Sequence, residues 1–429
     1  MNGKGISRRV FLKGAIAAGS AVLTPVIVPS SVFGANAPSN RITVAQIGCG
    51  GRGSGQVRSF AHPDVCQVIA VCDPFQARRE TNAAYVNKVY GGDVCTPYND
   101  LREMLARDDI DAVGICTPDH WHVPAALMAV RSGKHVYVEK PLGVSLEQDF
   151  ALRAACQRYG AVFQYGTQQR SQEHIRFACE LVRNGRLGKL QSVEVLSPAS
   201  GQGGSPTPIP VPEGLDYDLW LGPAPLAPYT KDRCTNSGAY FISDYALGFI
   251  AGWGAHPLDV AVWGLGDSWD AVPCEFEGWG AFPTEGLYDT ATSWDVRGKF
   301  VSGVEFRFRG PGENLTIFTG DKGRMHVSRG YLKTEPESLK NEVIGPNELH
   351  RTKSVNQTYN FLDAIRTRQR TVNPVEVAVL SDTISHLSDI AIRTCRKITW
   401  DPKQEKIIGD PSASRMLHRP MREPWSLSA

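Results

Sequence analysis

The run Ile42-Thr-Val-Ala-Gln-Ile47-Gly48-Cys-Gly-Gly-Arg-Gly53 decides how this chain is read. Its first six residues form a short, mostly apolar stretch that ends at a glycine, the signature of a buried strand. Gly48, Cys49, Gly50, Gly51, Arg52 and Gly53 then follow the G-x-G-x-x-G spacing, with a helix-like segment over residues 54–61 behind them. Asp73 closes the next strand about 20 residues past the loop, where a dinucleotide-binding unit keeps an acid. In this reading Gly48 permits the tight turn, Gly50 admits a pyrophosphate against the backbone, and Gly53 lets helix and strand pack closely. The phosphates would rest on unpaired N–H groups at the helix N-terminus. Asp73 would accept hydrogen bonds from the ribose hydroxyls and repel a 2′-phosphate, so NAD is expected in preference to NADP. Arg78 and Arg79 are the nearby residues that would favour NADP. The alternative is a glycine turn in an unrelated α/β protein.

Working outward, Val65–Cys72, Asp111–Cys116, His135–Glu139 and Ala161–Tyr165 read as strands. Phe75–Val89, Val123–Arg131 and Leu146–Tyr159 read as the helices between them, so residues 38–165 are expected to form a doubly wound Rossmann domain with a parallel sheet. The composition then changes. Pro198–Pro212 is rich in glycine, proline and serine, and Glu275–Ala281, Ala291–Val296, Gly303–Arg309, Asn314–Thr319 and Arg324–Val327 read as strands. Val304-Glu-Phe-Arg-Phe-Arg309 alternates apolar and charged residues, as a sheet with one wet face does. Residues 166–429 are therefore expected to form an α+β domain on an open-faced, mostly antiparallel sheet. Its helices at Tyr359–Arg368 and Val375–Arg396 would pack back on the first domain, and its open face suits a homo-oligomer.

The chain has 429 residues, 46 Lys+Arg against 44 Asp+Glu, 42% hydrophobic and 21% charged residues. That is an ordinary globular composition, which excludes disorder, collagen and coiled coil. No basic block appears in the body of the chain, so no nucleic-acid partner is expected. Residues 1–37 read as an address: Arg8-Arg9 before a short apolar stretch, then Ala35-Asn36-Ala37 as a cleavage site, the pattern of a twin-arginine export signal. Its removal takes Lys4, Arg8, Arg9 and Lys13 and no acid, moving the net charge from +2 to about −2. A periplasmic or otherwise exported protein without stable membrane insertion is expected. The ten cysteines show no C-x-x-C pair and no metal spacing, so no metal is expected. A Cys234–Cys274 disulfide is conceivable on sequence grounds.

Two further motifs follow strands, at the edge where open α/β sheets bind ligands. They are Thr117-Pro-Asp-His-Trp-His122 and Glu139-Lys140-Pro141. Pro141 disfavours helical geometry at Lys140, leaving its amine free to reach over the sheet edge and exchange a proton with an alcohol.

Together with the Gly48–Gly53 loop, Thr117-Pro118 with His122, Glu139-Lys140-Pro141 and Gly254-Ala-His256-Pro-Leu-Asp259 resemble the Gfo/Idh/MocA oxidoreductase family. Gly166-Thr-Gln-Gln-Arg170, Trp220-Leu-Gly-Pro-Ala-Pro225 and Arg422-Glu-Pro-Trp425 are similar to its exported members. The resemblance implies a sugar or polyol oxidoreductase using NAD, with Lys140 as the proton-transfer residue and His256 touching the substrate hydroxyl. Thr117, Pro118, His122 and Glu139 would line the nicotinamide side. The family pattern carries an Asp four residues before the His, and here that position is Gly252; Asp244 or Asp259 would have to replace it. Gln168, Arg170, Asp259, Tyr245 and Tyr359 are the expected substrate contacts, with packing or surface roles as the alternative for the tyrosines.

Export implies a carried cofactor returned to its starting state in each cycle. Paired oxidation and reduction of two sugars does this, and so does a glycosidase that oxidises, eliminates and re-reduces one glycoside. A non-catalytic exported sugar-binding protein is the third expectation.

Overall fold

The computed structural model describes residues 41–62 and 66–428. The export signal read in residues 1–37, and Val65 as the start of a strand, lie outside the described residues. The first sheet contains β1 (Thr43–Ile47), β2 (Gln67–Cys72), β3 (Thr96–Tyr98), β4 (Ala112–Ile115), β5 (His135–Val138) and β6 (Phe163–Tyr165). Interleaved with them are α1 (Gly51–Phe60), α2 (Gln76–Tyr90), α3 (Leu101–Leu105), α4 (Asp119–Arg131) and α5 (Leu146–Tyr159). The spatial order is β3-β2-β1-β4-β5-β6, with every neighbouring pair parallel. β1 and β4 are almost wholly buried, because helices cover both faces of a parallel sheet. The order reverses between β1 and β4, so the crevice at their C-terminal ends is where a ligand binds in such a sheet. Short β3, Thr-Pro-Tyr, gives no sequence period and escapes the reading.

The remaining elements are α6 (Glu173–Arg183), β7 (Leu190–Leu196), α7 (Tyr217–Leu221), α8 (Asn236–Phe241), α9 (Phe249–Gly252), α10 (Ala255–Leu265), β8 (Glu275–Ala281), β9 (Ser293–Lys299), β10 (Glu305–Gly310), β11 (Leu315–Gly320), β12 (Arg324–Ser328), β13 (Leu332–Glu335), α11 (Gln357–Thr367), α12 (Val375–Thr394), β14 (Ile398–Asp401) and β15 (Lys406–Ile408). The second sheet runs β13-β12-β11-β7-β10-β9-β8-β14-β15, and only β7 with β10 is parallel. Along β10, Phe306 and Phe308 are buried while Glu305, Arg307 and Arg309 face outward, as the alternation predicts. β7 lies inside this sheet between β10 and β11 and was not expected; its Glu194 pairs with Arg309 on the wet face. Among the described residues no helix is long and apolar enough to cross a membrane. All ten cysteines are free thiols, so Cys234 and Cys274 are not joined.

Helix α12 is a wall shared by both sheets. Val375, Ala378 and Val379 pack with Val138, Leu152 and Tyr165, while Ile384, Leu387 and Ile390 pack with Phe276 and Trp294. Phe361 and Leu362 of α11 join Val44, Phe60 and Tyr137.

A buried ion pair locks these parts together. Arg170, in the turn after β6, donates from Nε to Asp259 Oδ2 at 2.8 Å and from Nη2 to Asp259 Oδ1 at 2.7 Å. Thr167 Oγ1 adds a 2.7 Å bond to Oδ2, and Asn373 Nδ2 a 3.0 Å bond to Oδ1. The two side chains are 1% and 0% exposed, so neither can touch a substrate. Their expected substrate role is corrected: sequence position put them near the sheet edge, but mutual neutralisation buries them beneath it. Removing one partner of such a pair strands a charge in the core, so Arg170→Met is expected to cost about 3–5 kcal/mol. Urea unfolding checks this through a lower midpoint at unchanged slope.

Candidate active site

The glycine loop is shaped by what surrounds it. Gly48 has φ +82, and a Cβ there would collide with the Cys116 carbonyl, so the loop sits directly against the end of β4. A Cβ on Gly53 would collide with the Gly48 carbonyl. Gly50 differs: its nearest neighbour would be Arg78 Nη1 at 3.7 Å, and otherwise it faces open space. It caps α1, which has no side-chain cap and no acid in its first turn. Unpaired N–H groups therefore face an open cleft, a cradle suited to a pyrophosphate.

That cleft runs from Asp73, Pro74 and Arg78 to Thr117, Asp119 and Tyr240. Asp73 accepts the Cys49 N–H at 2.7 Å and the Phe75 N–H at 2.9 Å, so it braces the loop as well as facing the ligand. Each oxygen keeps a further lone pair for a ribose hydroxyl. Among the described residues no cation pairs with this carboxylate: Arg79 Nη1 donates to the Asp73 main-chain oxygen at 3.1 Å, and Arg78 stacks on Phe75 at 3.8 Å. A 2′-phosphate would meet that carboxylate with the nearby charges of Arg78 and Arg79 as its only relief among the described residues.

The reacting end gathers around Lys140. Its Nζ donates to the Gly252 carbonyl at 2.6 Å and stands 5.2 Å from the Tyr240 ring centre and 5.9 Å from that of Trp253. A Cβ on Gly252 would lie 3.2 Å from Tyr240 Cδ1, so the Tyr240 ring occupies the space into which an Asp at this position would extend. Neither Asp244 nor Asp259 fills that role: Asp259 is bound to Arg170, and Asp244 does not line the cleft. Lys140 pulls the Tyr240 phenol down, but burial with Asp119 and Glu139 outweighs it and holds the phenol above its ordinary range.

His256 begins α10, 2% exposed, with Nε2 3.3 Å from Arg329 Nη2 and Nδ1 unpartnered. Burial, then the charges of Lys140 and Arg329, holds the imidazole well below its usual pKa, so it is neutral. Glu139 accepts from Arg52 Nε at 2.8 Å and from Gln168 Nε2 at 2.8 Å. Gln168 thus orients Glu139 beside the site.

Other expected residues sit elsewhere. His122 falls in the first turn of α4, buried, its ring nitrogens 2.7 Å from the Pro141 carbonyl and 3.0 Å from that of Thr117. Burial pushes it down to about 4, so one N–H staples the two motifs from beneath and the ring does not line the cleft. Tyr245 is fully buried, accepting from Arg233 at 2.8 Å and packed against His120 and Trp220. Tyr359 is 45% exposed on α11 and outside the cleft. Tyrosine type alone suggested stacking; their positions exclude it. Asp119, Tyr240, Trp253 and Arg329 were missed. Asp119 lay inside the Thr117–His122 motif, whereas Tyr240 and Arg329 carry no local signal.

Over residues 42–167 the sequence matches the oxidoreductase family described as an NAD-binding Rossmann fold, and over 200–427 that family's C-terminal alpha/beta domain. The alpha-N-acetylgalactosaminidase of Shewanella oneidensis is 38% identical over 167 residues, 33% of this chain and 35% of that protein. The matched stretch spans about a third of the length of the curated relatives. The WlbA dehydrogenase from Bordetella pertussis, solved with NADH and UDP-GlcNAcA, has a TM-score of 0.63 at 15% identity over 84% of this chain and 99% of that one. The aldose–aldose oxidoreductase from Caulobacter crescentus, solved with glycerol, has 0.60 at 18% identity over 84% and 99%. Both share the fold.

Because Gly50 borders open space and has ordinary backbone angles, Gly50→Val should fold and melt as the parent does. Its side chain would stand where the pyrophosphate rests, so NAD affinity measured by calorimetry should drop about tenfold or more.

Proposed function

The chain belongs to the Gfo/Idh/MocA oxidoreductase family, with an NAD-binding Rossmann fold, and from that premise we propose that it transfers hydride to or from a hydroxyl carbon of a sugar or glycoside. The observation that carries this reading is the Lys140 amine, which stands 5.2 Å from the ring of Tyr240, a residue that lines the cleft at the end away from Asp73. Gly50, Gly51 and the N-terminus of α1 would hold the pyrophosphate, and Asp73 the adenosine ribose. NAD bound there supplies a hydride acceptor or donor.

Every other task falls to this chain's own residues. Lys140 Nζ, as the free amine, takes the hydroxyl proton during oxidation and, as the resulting ammonium, returns it during reduction. His256, neutral, holds the same oxygen by a hydrogen bond without adding charge. Arg329 adds positive charge beside the site, which favours the alkoxide-like transition state, while the charge of Arg52 is matched by Glu139. Tyr240 supplies a neutral phenol where the family pattern has a carboxylate, so the local charge around Lys140 is more positive than that pattern would make it.

A second reading rests on that same substitution and on the 38% identity to an alpha-N-acetylgalactosaminidase. In it, transient oxidation of a glycoside permits elimination of the aglycone before hydride returns. The exported location read from residues 1–37 suits both, since each can leave the cofactor as it began.

Protein denatured after purification should release about one NAD(H) per chain if the cofactor is carried. Lys140→Ala should keep that content and lose roughly 10²–10⁴ in turnover of the sugar. Aglycone release from a nitrophenyl glycoside without net NADH would instead select the glycosidase. For export, replacing Arg8 and Arg9 together by lysine should keep the chain out of the periplasmic fraction, and unchanged fractionation would remove the twin-arginine reading.

A further inference from the structure

Two carboxylates and an imidazole meet in the core behind the loop that carries Lys140. Asp149 comes from α5, and Asp382 and His386 lie one turn apart on α12. One ligand atom from each can be chosen so that all lie within 4.8 Å of one another. His386 Nε2 is 3.3 Å from Asp382 Oδ2 and 3.8 Å from Asp149 Oδ2. Both carboxylates are 0% exposed and the imidazole 4%.

Their hydrogen bonding is deficient. Asp149 meets only Asp382, itself a carboxyl, and no other group among the described residues hydrogen-bonds its oxygens or His386 Nε2. Asp382 receives only long contacts, from the Gly143 N–H and the Tyr165 O–H, both at 3.4 Å. Asp259 shows how this protein otherwise buries a carboxylate, with an arginine, a threonine and an asparagine at 2.7–3.0 Å. Burying two carboxylates side by side without such donors is heavily penalised unless one is protonated or a positive charge stands between them. The imidazole aims an unpartnered nitrogen into the same space.

We propose that Asp149, Asp382 and His386 bind a divalent first-row transition-metal ion. Carboxylate and imidazole ligands suit Zn²⁺, Mn²⁺ and Fe²⁺. A tetrahedral ion with bonds of about 2.0–2.2 Å separates its ligand atoms by roughly 3.3 Å. The 3.3 Å contact already has that spacing, and the 3.8 Å contact needs a side-chain adjustment of a few tenths of an ångström. The ion would be closed off from solvent and structural. It would tie α5 to α12 and, because a Cβ on Gly143 would collide with Asp149 Oδ1, fix the segment directly after Lys140-Pro141. No sequence spacing announces it, since Asp149 is distant in sequence from Asp382 and His386.

The full chain is produced in medium supplemented with manganese, iron, cobalt and zinc salts, purified without chelator or polyhistidine tag, and analysed by plasma mass spectrometry. About one divalent ion per chain is expected, kept in Tyr240→Phe and lost in Asp149→Asn and His386→Gln. Should the latter two not fold, melting of the unsubstituted chain decides: prolonged chelation should lower Tm by several degrees, and adding back the same ion should restore it. A folded chain free of metal under all four supplements, with chelator-insensitive melting, would overturn the proposal in favour of a proton shared by Asp149 and Asp382. A folded His386→Gln chain that keeps its ion would overturn it as well.

Discussion

Asp259 carries a full negative charge with no access to water, and much of the site's geometry follows from how that charge is satisfied. Its four hydrogen bonds come from Thr167 and Arg170 after the first sheet's last strand, and from Asn373 just before α12. Asp259 itself sits one helical turn after His256 on α10. Satisfying one carboxylate therefore sets where the histidine's helix lies relative to the first sheet, whose neighbouring strand ends just before Glu139 and Lys140. A bidentate arginine pair has little angular freedom, so the constraint is directional as well as attractive.

The electrostatics of the reacting end follow from crowding of cations around few acids. Lys140, Arg329 and Arg52 face a buried imidazole, which consequently stays uncharged, while Glu139 is held by Arg52 and Gln168. The Tyr240 ring takes the volume next to Gly252 where a carboxylate would otherwise lie. The site thus keeps its amine and imidazole but exchanges an acid for a neutral phenol. That exchange raises the local positive potential, which favours chemistry that develops negative charge on oxygen.

Much of this was legible beforehand, and the reasons are local. The loop at Gly48–Gly53 needs residues without a Cβ because backbone from β4 and the loop itself crowd against it, so the glycines are visible as spacing. Lys140 was legible because a proline follows it at a strand end. The failures have a common cause. Arg170, Asp259 and Tyr245 are residue types that suit a sugar, and their burial depends on partners far away in sequence. His122 looked like a loop residue until α4 began at Asp119 and turned its ring beneath the motifs.

By itself, the sequence determined the two-sheet architecture and pointed to the glycine loop with Asp73 and to Lys140 and His256 as candidates, because each rests on short-range period, turn chemistry or spacing. Tertiary structure alone decided which polar residues face the cleft and which neutralise one another in the core. It also decided that Tyr240 and Arg329 belong to the site, and that Asp149 meets Asp382 and His386. Those outcomes depend on long-range packing and on the demand that every buried charge find a partner, and neither leaves a periodic mark along the chain.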